Sequence, residues 1–192
     1  MDDTVRRALQ KWPNVPNVFG WLRLDRRGNW LLKVQLDQFE RISNSAVVAF
    51  IGRNYEQDEA GQWYFQNGPQ RVFVSLDYTP HVYRLDDARR GWLTQAGMPA
   101  GNPLELLFDE RDDVVLVTDL GPGLVLDRDL PAMIDNITEI DGRGLEVDAL
   151  LESLRTQGAR RIRLLDVPVL AAGVDHAGIA SRFGFVAEPV PV

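Results

Sequence analysis

"GWLRLDRRGNWLLKV" (residues 20–34) is the stretch from which the rest of the chain can be read. Trp21, Leu22 and Leu24 precede a turn at Asp25 to Gly28, and Trp30, Leu32 and Val34 follow it in alternation. A period of two lays successive side chains on opposite faces of a strand, so the stretch predicts a β-hairpin. The turn chemistry is legible too. An aspartate can cap its own backbone two residues on, glycine supplies a positive φ, and the following aromatic packs on the sheet. The pattern Asp25-x-x-Gly28-x-Trp30 returns as Asp58-x-x-Gly61-x-Trp63, and in a frayed form as Asp109-x-x-Asp112-x-Val114 inside "LELLFDERDDVVLVT". Each copy lies between extended segments, which makes these positions architecture rather than chemistry.

Outward from the hairpin, a first helix is expected from Asp3 or Thr4 through Leu9, ending before Pro13, because proline cannot donate to the helix ladder. "WPNVPNVFG" is an irregular connector. Val47, Phe50 and Ile51 fall at helical spacing after a cap at Ser43 or Asn44. "GQWYFQN", "RVFVSL" and "HVYRL" return to strands, the first two joined by Asn67-Gly68-Pro69-Gln70 as a hairpin bend. Farther on, Val147, Leu150, Leu151 and Leu154 mark one face of a helix stopping at Gly158; a strand follows, Ile162 and Leu164 alternating with Arg161 and Arg163, and runs to Pro168. Asp175 is expected to cap a last short helix carrying Ile179 and Phe183, and "FVA" to close as a strand. The fold class is therefore α+β: a mostly antiparallel twisted sheet with a packed helix, followed by a smaller α/β unit. The charged "LDDARRGW" places the division between residues 1–87 and residues 88–192, with the two subdomains packed together.

Composition excludes several function classes. Hydrophobic residues make up 45% and charged residues 26% of 192, a globular balance. There is no cysteine, so thiol catalysis, disulfides and cysteine zinc sites are out. The net charge is −7 and the basic residues are scattered in pairs, so no nucleic-acid partner is expected. No apolar run approaches the roughly 18 residues of a membrane span, and the first residues lack the basic-then-apolar pattern of a leader. No membrane partner is expected, and the expected compartment is the cytoplasm.

Only two histidines exist, His81 and His176, too few for a dedicated zinc enzyme, so no metal and no cofactor is expected. The acidic run around Asp109 to Asp113 reads as solvated turn charge. No glycine-rich phosphate loop or G-x-S-x-G elbow occurs. One polar cluster remains. In "WYFQNGPQRVFV" (residues 63–74), Gln66, Gln70 and Arg71 sit at the end of a rigid hairpin, where a guanidinium can take a carboxylate or phosphate in bidentate fashion. Arg53, Asn54 and Tyr55 in "GRNYE" are its natural neighbours.

"WPNVP", "GWLRLDRRGNW", "RNYEQDEAGQWYFQNGPQRVFV" and the closing "FGFV" resemble a family of uncharacterised proteobacterial proteins, a domain of unknown function. On Asp25, Gly28, Trp30, Gly61, Trp63 and Pro80 the chain is also similar to a second bacterial unknown-function family. That family is built of repeated α/β motifs in two subdomains. The second resemblance implies a role in signalling or ligand sensing and carries no catalytic residue over.

The sequence thus points to a non-enzymatic module that binds a small anionic ligand or a protein partner, with Arg53, Asn54, Tyr55, Gln66, Gln70 and Arg71 as the expected site. The alternative is an enzyme that uses His81 or His176 with a nearby carboxylate such as Asp77 or Asp175.

Overall fold

The computed structural model describes residues 1–36 and 38–191 and has an α+β fold that divides into two compact units. The first comprises Met1–Pro80, Gln95–Met98 and Gly184–Val192, and the second His81–Thr94 with Pro99–Phe183. The division expected after residue 87 falls inside the second unit, in a hairpin turn. Asp86 there accepts the Arg90 N–H on its Oδ1 at 2.8 Å, so the charged run closes two strands rather than linking two bodies.

In the first unit, helix α1 (Asp3–Lys11) precedes a meander of β1 (Val18–Leu24), β2 (Trp30–Gln35) and β3 (Gln38–Arg41). Helix α2 (Ser45–Arg53) then leads to a second meander, β4 (Tyr55–Gln57), β5 (Trp63–Asn67) and β6 (Gln70–Leu76). The sheet order is β3-β2-β1-β6-β5-β4, with every pairing antiparallel except β1 with β6. The opening hairpin has the predicted register, Leu22 opposite Leu32 and Leu24 opposite Trp30. Strand β3 was not foreseen, because "QFER" holds one apolar residue and sits at the sheet edge. Helix α2 starts as expected: the Asn44 side chain accepts from Ala46 N at 2.9 Å and Val47 N at 3.3 Å. Gly52 is helical for a packing reason, since a Cβ built there would meet Ala96 Cβ at 2.1 Å.

The repeated turn behaves as its chemistry dictates in all three copies. Asp25 Oδ1 accepts from Arg27 N and Asn29 N at 2.9 and 2.7 Å, and Asp58 Oδ1 from Ala60 N and Gln62 N at 3.0 and 2.8 Å. Asp109 Oδ1 accepts from Arg111 N and Asp113 N, both at 2.9 Å. Gly28 and Gly61 have φ of +76° and +82°, and in the frayed copy Asp112 takes the same conformation at +64°. The two repeat tryptophans converge on one ring: Trp30 packs edge-on to Tyr55 at 5.1 Å, and Trp63 lies 4.7 Å from it at a tilt.

The second unit contains β7 (His81–Leu85), β8 (Trp92–Leu93), β9 (Pro103–Asp109), β10 (Val114–Thr118), β11 (Gly121–Val125), α3 (Leu130–Ile134) and β12 (Ile137–Thr138). It continues with α4 (Val147–Gln157), β13 (Arg160–Leu164), β14 (Val167–Val174) and α5 (Ile179–Phe183). Its sheet runs β12-β13-β14-β9-β10-β11-β7-β8, with β14 parallel to β9 and β11 parallel to β7. Strands β12 to β14 beside β9 to β11 repeat the order of the first sheet, where β4 to β6 lie beside β1 to β3. Asp109 accordingly turns β9 into β10 as Asp25 turns β1 into β2.

The run from Arg161 to Pro168, expected as one strand, belongs to a hairpin of β13 and β14. Leu165 and Asp166 both adopt left-handed φ, +49° and +64°, the signature of a type I′ turn without its usual Asn-Gly. At the carboxyl end, Val186 makes a single bridge with Gln62 where a strand was expected. The second core is built from Tyr83, Trp92, Leu106, Leu116, Met133, Leu150, Ile162 and Leu164, so the apolar stripe of α4 faces the sheet.

Candidate functional site

Each of the expected site residues is already engaged within the protein. Asn54 and Gln66 are both fully buried. Gln66 N donates to Asn54 O at 2.8 Å, and Asn54 Oδ1 accepts the Asp2 N–H at 2.7 Å while its Nδ2 donates to Phe50 O. Arg53 reaches Asp2 at 3.3 Å. Tyr55 is the ring between the two tryptophans, and its hydroxyl donates to Pro80 O at 3.0 Å; burial raises its pKa well above that of a free phenol. Gln66 Nε2 donates to Gly68 O, and Gln70 Nε2 to Pro16 O. Arg71 stacks over Tyr64 at 4.5 Å, a cation–π contact. Gly68 at φ +58° followed by a proline meets the φ pattern of a type II′ bend, so Asn67 to Gln70 close the hairpin as predicted.

The histidines differ. His81 is 7% exposed, stacks on Tyr83 at 5.6 Å, and its Nε2 lies 3.2 Å from Leu120 O. A carbonyl only accepts, so Nε2 carries the proton. Burial depresses its pKa to about 4, opposed in part by that hydrogen bond. Asp77 is paired with Arg23 at 3.4 Å, yet burial still pushes its carboxyl above the usual range.

His176 sits in a different environment. It follows Asp175 at the end of β14, and its Nδ1 lies 2.8 Å from Asp109 Oδ2 and 3.6 Å from Asp113 Oδ2. The Asp109 side chain has no exposed surface, and those of Asp113 and His176 are 12% and 15% exposed. The backbone N–H of His176 donates to Glu110 Oε2 at 2.8 Å and holds that carboxyl below its ordinary range. The expected cap did not form: Asp175 makes no side-chain capping bond, because the chain opens there as a single 3₁₀ turn with Gly178 N bonded to Asp175 O.

A cavity of about 580 Å³ opens beside this cluster. Its strand wall is Phe108 and Asp109 of β9 with Gly173 and Val174 of β14, which the parallel register sets side by side. Leu151, Leu154 and Arg155 of α4, at positions i, i+3 and i+4, form the helix wall. Glu110, Asp112 and Asp175 also line it, while the Asp109 carboxylate lies on His176 with no exposed surface. A Cβ built on Gly173 meets no atom within 4 Å, so the glycine leaves open space in the wall. Sequence reasoning missed this site because its parts come from "LFDERDD", "LLESLR" and "GVDH", which only the parallel pairing of β9 with β14 and the packing of α4 bring together. The lone signal was the acid in place of glycine at Asp112.

The chain belongs to the family described as a protein of unknown function (DUF2946), whose model matches residues 1–190. Among solved structures it is similar to a DUF1285 family protein from Silicibacter pomeroyi, at 18% identity and a TM-score of 0.45 over 67% of this chain and 75% of that one. It is also similar to a DUF1285 family protein from Shewanella baltica, at 12% identity and a TM-score of 0.42 over 58% of this chain and 87% of that one. No curated protein matches. Among the described residues no helix is long and apolar enough to cross a membrane.

Proposed function

We propose that this protein is a non-enzymatic binding module of the sensing type, and that its ligand is a small molecule with an apolar body and a cationic head, held in the cavity of the second unit. The observation that carries this is the lining of that cavity: Phe108, Leu151, Leu154 and Val174 together with the acids Glu110, Asp112 and Asp175 and with Arg155. Concave sites of this size with a few convergent polar groups are where small molecules bind, and this one is lined by apolar and charged residues in equal part. The ligand-binding class expected from the sequence is kept. A cation rather than an anion is favoured because Arg53 and Arg71 are engaged by Asp2 and Tyr64, whereas Glu110, Asp112 and Asp175 line the cavity.

The test is a thermal-shift screen of amines, guanidines, carboxylates and phosphates, followed by titration calorimetry on wild type and Gly173→Leu. Cationic hits are expected, and Gly173→Leu, which fills the wall without demanding a positive φ, should lose them while staying folded. Hits confined to anions, or hits that bind Gly173→Leu as they bind wild type, would overturn the reading.

One observation favours the enzymatic alternative: a carboxylate 2.8 Å from His176 Nδ1 is the arrangement that orients an imidazole for proton transfer. Conversion of a bound hit by wild type, abolished in His176→Gln, would establish it; hits recovered unchanged would exclude it.

A further inference from the structure

Besides Asp112 and Val114, the turn at Asp109 departs from its counterparts at the residue after the left-handed position, and that departure has a chemical consequence. In the first copy the second oxygen of Asp25 accepts the Asn29 side-chain amide at 2.8 Å, so the turn closes on itself with a neutral donor. The residue in the place of Asn29 is Asp113, which brings a second carboxylate to a site where the first has no exposed side-chain surface. Two shielded carboxylates side by side are costly unless a cation pairs them or a metal is coordinated. The group inserted between them is the His176 ring, carried there by the end of β14.

From this geometry we infer that Asp109, Asp113 and His176 form a binding site for a divalent first-row transition metal ion such as Zn²⁺. The inference rests on the reading of the adjoining cavity as a binding site and adds a metal at its inner edge. One ligand atom from each residue lies within 4.8 Å of the others, and two of the separations are 2.8 and 3.6 Å. Ligands about 2.0–2.2 Å from an ion stand roughly 3–3.6 Å apart, so the donors need to move by less than about an ångström to enclose one. A single imidazole with two carboxylates is a mixed nitrogen and oxygen set. It suits zinc or manganese better than magnesium or calcium, which take oxygen alone.

A doubly charged ion would carry the charge to match both aspartates. Three protein ligands also leave coordination positions for water or for a ligand atom, and Asp109 belongs to the cavity wall as well as to the cluster. The remaining rim acids, Glu110, Asp112 and Asp175, still outnumber Arg155 with the ion in place, so a cationic head is accommodated together with the metal.

The experiment is calorimetric titration of the chelator-treated, tag-free full chain with Zn²⁺, with Co²⁺ as a spectroscopic reporter through its ligand-field absorption. Wild type should bind one equivalent of Zn²⁺, gain thermal stability with rising Zn²⁺ by mass action, and develop a Co²⁺ spectrum. Asp113→Asn and His176→Gln should each weaken Zn²⁺ binding at least about tenfold. Asp113→Asn restores the residue that the first turn uses, so its metal-free melting temperature should match or exceed that of wild type; if it misfolds, His176→Gln decides. Gly173→Leu should keep Zn²⁺ while losing organic cations, so the cavity reading and the metal inference fail separately. No stoichiometric Zn²⁺ binding by wild type, or wild-type affinity in both ligand variants, would overturn the inference.

Discussion

Acid should destabilise the second unit through a single buried ring. His81 has its pKa lowered to about 4 from 6.5, the first cause being burial, which the hydrogen bond of its Nε2 with the Leu120 carbonyl opposes in part. Between those two values the unfolded chain binds a proton that the folded chain refuses, so stability is fully present above about pH 6.5 and is lost as pH falls toward 4. The full shift corresponds to about 3 kcal/mol, of which about 2 kcal/mol falls between roughly pH 7 and pH 4.5. Urea denaturation of wild type and His81→Gln at those two pH values isolates the ring, because the carboxylates are common to both proteins. The glutamine amide can still donate to Leu120 O and does not titrate. Wild type should lose about 2 kcal/mol more than His81→Gln on acidification. Equal losses would refute the claim that His81 is held neutral by burial.

Three further outcomes test the architecture. Asp112→Gly should raise stability by about 0.5–1 kcal/mol in chemical denaturation, because φ +64° costs an aspartate what it does not cost glycine. Gly61→Ala should cost about 3 kcal/mol or more, since its Cβ would meet Gly184 O at 2.2 Å at φ +82°. Gly142→Ala, at φ +86° with nothing within 4 Å, should cost only about 1–2 kcal/mol; similar melting temperatures for the two would refute the contact argument. Asn44→Ala should cost about 1 kcal/mol through loss of the bonds to Ala46 N and Val47 N, read as a fall in melting temperature.

Most local structure was legible because its causes are local. Asp25 and Asp58 cap their own turns, Gly28 and Gly61 supply the φ, and alternation from Trp21 to Val34 sets a register in which Leu22 meets Leu32. Helix α2 starts at an asparagine cap and α4 ends at a glycine with φ +82°, both readable from residue type. The hairpin at Leu165-Asp166 was hidden because its turn residues carry no glycine, and β3 because an edge strand needs little apolar patterning.

What sequence alone determined is therefore the α+β class, the repeated turn and the hairpins, all set by interactions spanning a few residues. Which polar groups meet was decided by tertiary pairing. Tyr55 and Asn54 look like site residues in "GRNYE", but Trp30 and Trp63 close on the tyrosine and the buried Asn54 takes the Asp2 N–H. Asp109 looks like a turn residue and His176 only the neighbour of a cap, and they become partners because β14 runs parallel to β9, setting Val174 opposite Asp109, a pairing that no local pattern encodes.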